Sequence, residues 1–547
     1  MGSKHGMGLL AIVVVLACGT ARSQSMAAGG AATATAPQIR QVAYIKASNP
    51  QPDAHFGEGG YPPGHYGNAI AISRDGSTLA VGAPHESSGA KGINGNQNDD
   101  SLYASGSVYV FTRRGNGWAQ QAYIKASNPG MTDSFGAVVA LSADGNTLAV
   151  SAFWESSAGT GINGNQDDDS IPQAGAVYVF TRTGTTWSQQ AYIKSSNTGR
   201  LPANNDDFGD GDQFGFSISL SADGNTLAAG AITEDSRASG VNRLEFQNDD
   251  TAASSGAVYI FTRTGATWSQ QAYIKASNAD GGDLFGYNVA LSASGDTLAV
   301  GTYDEDGSGR SPNAIPDARR NGCGAVYVFD RTDGAWRQTA YLKGSRSQQN
   351  DGLGNSVTIS DDGNTVAAGA ADEQCLNPGI NPPDCDVDTA PVGFGQSFSA
   401  GGVYVWARNG NIWTEQAFIK SSNPNLYDWF GVRTALSGDG NILAVASQTE
   451  DSASKGIDGN QADNSTNETG AVYIFTRNGA TWTQRAYVKA SNADEYANFG
   501  TALSFSRDGK ILAVGARGEA SAAKGFNGDQ NDRSAPGAGA AYLFTIN

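Results

Sequence analysis

The chain has little of what catalytic and metal centres are usually made from. Its 547 residues include only four Cys and four His. Beyond Cys18, the remaining Cys323, Cys375 and Cys385 are too few for a disulfide scaffold or a set of zinc fingers. Basic residues are scarce as well: 35 Lys and Arg stand against 53 Asp and Glu, a formal charge of −18. Phosphate binding needs a basic footprint, so nucleic acid is excluded as a partner. The apolar run at residues 9–17 is far short of the ~20 residues that span a bilayer. No G-x-S-x-G elbow, phosphate loop, dinucleotide fingerprint or CxxC pair occurs. Carboxylates are so common that a pair at glycosidase spacing can be drawn almost anywhere and means nothing.

Glycine, by contrast, is plentiful. The 72 Gly are roughly twice ordinary usage, and 39% of residues are apolar, which describes a folded, turn-rich chain. At the N terminus, Lys4 and His5 precede the apolar run, whose length suits a signal-peptide core. Val15-Leu16-Ala17-Cys18 resembles a bacterial lipobox, with Cys18 as the lipidated first residue of the mature chain. A plain secretory signal cut nearby is the alternative. We therefore expect a lipoprotein-like signal peptide at 1–17, a flexible tether at 18–37, and export to the outer surface of the cell envelope or beyond. Membrane contact is then through the lipid anchor only. In an oxidising compartment Cys375 and Cys385 can close a disulfide, leaving Cys323 unpaired unless it takes one of them.

Residues 38–547 are one unit written seven times. An aromatic-Gly step recurs at Tyr66-Gly67, Phe135-Gly136, Phe214-Gly215, Phe285-Gly286, Leu353-Gly354, Phe430-Gly431 and Phe499-Gly500. A turn glycine follows nine residues later, at Gly76, Gly145, Gly224, Gly295, Gly363, Gly440 and Gly509. Each unit holds four strand-like runs, with Asp-Gly as a tight hairpin signal between the first two. The third run is apolar on both faces (Val177 and Val179 one way, Tyr178 and Phe180 the other) and so needs a neighbour on each side. That is the situation of a propeller blade. A repeated Lys on the fourth run (Lys46, Lys125, Lys194, Lys275, Lys343, Lys420, Lys489) reads as a charge keeping an outer edge from pairing with other chains.

The ends decide whether the array closes. The first unit opens with Gln41-Val-Ala-Tyr-Ile-Lys46, a fourth-strand sequence, and the last stops at Phe544-Thr-Ile-Asn547, after a third strand. The expected fold is all-β: a seven-bladed β-propeller of four-stranded antiparallel blades, its ring closed by the N-terminal strand completing the last blade. A monomer is expected.

These residues resemble the FG-GAP repeat family, the repeat of the integrin alpha-subunit propeller and of many exported bacterial proteins. The resemblance runs through aromatic-Gly, Asp-Gly, Leu-Ala-Val-Gly-Ala and Gly-Ala-Val-Tyr-Val-Phe, in order, along the whole array. It implies adhesion or recognition. The family's calcium blades carry Asp-x-Asp-x-Asp-Gly-x-x-Asp between strands one and two; here that loop is a plain hairpin such as Ala143-Asp144-Gly145-Asn146, so those sites do not carry over.

A meander puts the strand 1–2 and 3–4 turns on one rim and the 2–3 and 4–1 connections on the other. The second pair holds every long insertion, so one face is elaborated. In four 2–3 loops a Glu precedes an Asn/Asp-Gly-Asn/Asp-Gln-x-Asp run by eight residues: Glu86 with Asn94, Asn96 and Asp99; Glu155 with Asn163, Asn165 and Asp168; Glu450 with Asp458, Asn460 and Asp463; Glu519 with Asn527, Asp529 and Asp532. These side chains read first as turn caps, and second as a site for a hard cation such as calcium, which clustered carboxylate and amide oxygens suit. The carriers, blades 6, 7, 1 and 2, form one arc, while blade 3 keeps a damaged version and blades 4 and 5 replace it.

His55, His65 and His85 all fall in the first unit's elaborated loops, near Glu58 and Glu86. They offer either a transition-metal or acid/base site, or three exposed polar residues. Trp118, Trp187, Trp268, Trp336, Trp413 and Trp482 lie beside the 3–4 turn, where packing accounts for them; Trp154 and Trp429 sit on or near elaborated loops, where an indole can stack on a sugar. The reading is a propeller that binds an extracellular protein or glycan through its acidic loop face, calcium-assisted. The competing classes are a secreted polysaccharide lyase or hydrolase around His55, His65 and His85, and a purely structural envelope component.

Overall fold

The computed structural model describes residues 38–58, 67–199, 211–317, 319–385 and 399–547; the expected signal peptide, tether, Cys18, His65 and Tyr66 lie outside them. Within them the chain forms seven antiparallel sheets, each a meander of an inner, a second, a third and an outer strand. In the second blade these are Val139–Leu141, Thr147–Ala152, Ala176–Thr183 and Thr186–Ile193. The inner strands bracket a central channel of about 230 Å3, lined by all seven. The ring closes as its ends require. Ile39–Lys46 pairs antiparallel with Ala540–Ile546 and is the outer strand of the seventh blade.

Both faces of the third strand are buried, as its double apolar pattern demands. Tyr178 and Phe180 meet Phe135 edge-on, with ring centroids at 5.3 and 6.2 Å. Phe135 is the aromatic of the step, and its glycine is needed for two reasons. Gly136 has φ +97°, and a Cβ on it would lie 2.4 Å from the carbonyl oxygen of Ser107 in the preceding blade. In the first blade Phe56-Gly57 takes this place: Phe56 packs on Tyr109 and Phe111, and Gly57 donates to the Gly82 carbonyl as Gly136 donates to Ser151. The expected step at Tyr66-Gly67 is therefore displaced by ten residues, an insertion that sequence spacing alone conceals.

The residue two before each turn glycine bonds through its backbone to the next blade, a role visible only in the ring. Arg74 N–H donates to Ala143, Ala143 to Ala222, Ala222 to Ala293, Ala293 to Asp361, Asp361 to Gly438 and Gly438 to Arg507, each to the carbonyl at 2.8–3.0 Å. Six consecutive backbone bonds thus run around the base of the channel, and Arg507 pairs with Asp361 across it. The base tryptophans pack as expected. Trp187 is 4% exposed, donates to Gln121 of the preceding blade at 2.9 Å, and lies under Arg182.

The repeated lysines do not guard an edge. All seven are 0% exposed, and each is paired with a Glu from the 2–3 loop of its own blade. An uncompensated ammonium could not be buried there, so the carboxylate is obligatory. The outer strand is protected differently: a single residue of the 2–3 loop folds back on it, as in the bridges Ile93 to Ile124 and Ile162 to Ile193. Cys375 and Cys385 are disulfide-bonded, and Cys323 is a buried free thiol pushed up to about 12 by burial.

Candidate binding face

Each blade folds its long loops over one buried polar network. In the second blade Glu155 sits at its centre. Its Oε2 takes Lys194 Nζ at 2.9 Å, while its Oε1 takes the Tyr192 hydroxyl at 2.9 Å and Asn128 Nδ2 at 3.0 Å. Asn128 arrives on the loop from the preceding blade and accepts the Tyr178 hydroxyl at 2.6 Å. Four elements are tied together around a carboxylate that is 1% exposed. The same bonds recur at Glu86, Glu234, Glu305, Glu450 and Glu519. In the fifth blade Glu373 keeps its lysine, but Phe418 replaces the tyrosine.

This network accounts for the Glu-to-Asn spacing. Asn94, with φ +57°, donates its N–H to the Tyr123 carbonyl and accepts the Tyr123 N–H on Oδ1 at 3.0 Å, a two-bond cap on the outer strand. Asn163, Asp458 and Asn527 do the same for Tyr192, Tyr487 and Tyr44. Asn96, Asn165, Asn460 and Asp529 accept the N–H two residues on, closing tight turns; so do Asp99, Asp168, Asp463 and Asp532. Glu86, Glu155, Glu450 and Glu519 are 0–1% exposed and already hold a lysine, a tyrosine and an asparagine. The constellation fastens loop to strand: its Glu carboxylates hold buried donors, and its Asn and Asp side chains take backbone N–H groups. Among the described residues no three His, Cys, Asp or Glu side chains gather as a metal centre would need.

The strand cap extends beyond the arc that carries the full motif. Asn242, Asn313 and Asn381 cap the outer strands of blades 3, 4 and 5 in the same way. Sequence reading missed these, together with Glu234, Glu305 and Glu373. The available signal was that a Glu follows the end of every second strand by three residues, once for each repeated lysine.

A second carboxylate recurs in five blades, two residues before the aromatic of the step: Asp133, Asp212, Asp283, Asp351 and Asp428. Each accepts the N–H of a residue earlier in its own 4–1 loop, at 2.6–3.0 Å. Burial, with the nearby Glu of the same blade adding to it, pushes Asp133 up to about 7 and Asp283 and Asp428 up to about 8.

Two of the three candidate histidines do meet. The His55 and His85 rings lie 4.6 Å apart, beside Glu58, which contacts His55 Nδ1 at 2.5 Å and Arg517 of the seventh blade at 2.7 Å. Burial pushes Glu58 up, but His55 and Arg517 outweigh it and hold the carboxyl below its usual range. Burial, then His55, push His85 down to about 4. Glu58 is 3% exposed, so the cluster fastens blade 1 to blade 7 across the closure seam.

The loop face also offers apolar side chains to solvent. Of nine exposed large apolar side chains among the described residues, Tyr103, Met131, Leu244, Ile315, Leu376, Leu426, Tyr427 and Tyr496 lie on 2–3 or 4–1 loops; Ile412 alone lies on the base. Trp154 and Trp429 are half-buried and pack on core residues.

The FG-GAP repeat family model matches residues 118–180 and 268–329. Each match runs from an outer strand through the next blade to its third strand, the same phase as the chain's own repeat. No curated protein matches the sequence. Among solved structures, the WD40 repeats of RRP9 align at a TM-score of 0.45 and 9% identity over 93% of this chain and 99% of that one. The periplasmic gluconolactonase PpgL of Pseudomonas aeruginosa aligns at 0.41 and 14% over 78% and 86%. The repeat matches that model in two stretches, and the same step, turn and strands are written through all seven blades of this β-propeller.

Proposed function

We propose that this protein is an exported, lipid-anchored recognition module that binds an extracellular protein or glycan through its loop face. The observation that carries the reading is the one-sided placement of exposed apolar side chains, eight on the loop face against one on the base. Apolar side chains held in solvent on one face of a folded chain mark an interaction site. The face also carries the chain's acidic surplus, since basic and acidic residues balance on the base hairpins. Export rests on the N-terminal sequence alone, and cation assistance finds no support in the loop network. The test is binding of the purified protein to extracellular matrix proteins and to a glycan array. Substitution of Tyr103, Tyr427 or Tyr496 by Ala should weaken capture at least tenfold, and Ile412→Ala should not. Equal effects from both faces would refute the reading.

A further inference from the structure

The asparagines of the long loops include two chemical groups, and the residue that follows each one separates them. Asn49, Asn128, Asn197, Asn278, Asn423 and Asn492 use both ends of the amide. Nδ2 donates to the Glu of the blade network, and Oδ1 accepts the hydroxyl of a third-strand tyrosine. An ionised carboxylate only accepts, so the amide nitrogen is indispensable there. The next residue is Pro50, Pro129 or Pro424 in three of the six, Thr198, Ala279 or Ala493 in the others, and never Gly.

Asn94, Asn163 and Asn527 are different. Each is exposed, and its strand cap uses only its N–H and its Oδ1. Among the described residues none accepts a bond from their Nδ2, so the nitrogen that a carboxylate lacks does nothing in the fold. The residue that follows is Gly95, Gly164 or Gly528. With no side chain of its own, glycine leaves its backbone nitrogen open to the preceding side chain, and Asn is among the thermolabile residues.

The fourth blade of the arc shows what the exchange of amide for carboxylate does. Its cap is Asp458, followed by Gly459. Asp458 has φ +54°, against +57°, +55° and +52° at Asn94, Asn163 and Asn527. Asp458 N–H donates to the Tyr487 carbonyl at 2.8 Å and its Oδ1 accepts the Tyr487 N–H at 2.9 Å. The three asparagines make the same two bonds at 2.7–2.8 Å and 2.9–3.0 Å. Asp and Asn both cap turns and both adopt positive φ, so the geometry is indifferent to which one is present.

We infer that Asn94, Asn163 and Asn527 are sites of spontaneous deamidation, at which the folded chain exchanges amide for carboxylate with its strand cap intact. The glycine nitrogen attacks the asparagine Cγ, ammonia leaves and a cyclic imide forms; water then opens the imide. Opening at the former side-chain carbonyl yields Asp, the residue that blade 6 carries. Opening at the backbone carbonyl yields isoaspartate, whose additional backbone methylene puts the cap out of register. Ring formation must first break the Oδ1 bond to the outer strand, so the cap sets the pace. Each conversion adds one negative charge to the loop face near neutral pH, and blades 7, 1 and 2 come to match blade 6. Nothing in this depends on what the loop face binds.

The test is incubation of the purified protein in warm alkaline buffer, beside the same chain held in guanidinium, followed by peptide mapping that separates Asp from isoaspartate. Asn94, Asn163 and Asn527 should convert to Asp, more slowly in the folded chain than in guanidinium. Asn128 and Asn423, each followed by Pro, which has no N–H, should convert in neither. The variant carrying Asn94→Asp, Asn163→Asp and Asn527→Asp should melt within about 1 °C of the parent, and Asn128→Asp alone more than about 3 °C below it. A folded chain that keeps all three amides after the guanidinium sample has lost them would overturn the inference. So would isoaspartate with no Asp as the product, or a triple variant as unstable as Asn128→Asp.

Discussion

Removing the Lys46 ammonium is the sharpest test of how this ring is held. Lys46 and Glu519 are both 0% exposed, 2.6 Å apart, and separated by 473 residues of chain. Burial holds the Lys46 ammonium below the usual lysine range, with Glu519 pulling the other way. Lys46→Met keeps the side chain's length and leaves Glu519 buried without its cation. Breaking one side of a buried pair costs about 3–5 kcal/mol, whereas an exposed edge lysine would cost no more than about 1 kcal/mol. The double variant Lys46→Met, Glu519→Leu removes the stranded charge and should recover most of that loss. Tyr44 and Asn492, which donate to Glu519 at 2.8 and 3.0 Å, then lose their acceptor, so recovery should stop about 2 kcal/mol short. Thermal melts and unfolding rates in guanidinium, read as a double-mutant cycle, supply the numbers. Because this pair joins the two ends of the chain, Lys46→Met should accelerate unfolding more than Lys125→Met, whose partner Glu86 lies within the same continuous blade. A single-variant cost under about 1 kcal/mol, or a double variant as unstable as the sum of the singles, would refute the buried-closure argument.

Other consequences are open to measurement. Asp133, Asp283 and Asp428, raised to about 7, 8 and 8, keep a proton in the folded chain that they lose when unfolded near pH 3.9. The folded state thus binds more protons between those limits, and melting temperature should fall as pH rises from about 4 to about 8; Asp428→Asn should flatten that slope. Glu58 runs the opposite way, its folded pKa lying low, so its contribution is present above its unfolded pKa and lost as pH drops through the folded one. Because the loop glutamates are spent on lysines, millimolar calcium and chelator should give the same melting temperature, and a rise with calcium would place a cation on the remaining Asn and Asp oxygens. Gly82→Ala would put a Cβ 1.9 Å from the Gly136 carbonyl oxygen of the next blade, so it should cost about 3 kcal/mol or more, read by guanidinium titration.

How far the sequence reached differs residue by residue. Phe135-Gly136, Asp144-Gly145 and the doubly apolar Val177–Phe180 run are local signals, and local rules read them correctly as a blade. The unmatched ends gave closure, because a fourth strand without its first three has one place to go. Lys46 and Glu519 could not be read that way. Each looks like an ordinary surface charge until the seventh blade brings them together from opposite ends of the chain. Asn94 and its equivalents looked like ligands because a turn cap, a strand cap and a cation site use the same oxygens.

The sequence by itself determined how many blades there are, their internal order and where the ring shuts, since these follow from a repeated short-range pattern and its two incomplete ends. Only the tertiary structure decided which charges are buried, that Phe56-Gly57 takes the place of the step in the first blade, and which face keeps its apolar side chains in solvent. Those outcomes depend on contacts between residues tens to hundreds of positions apart, and a carboxylate's role is set by what the fold places opposite it.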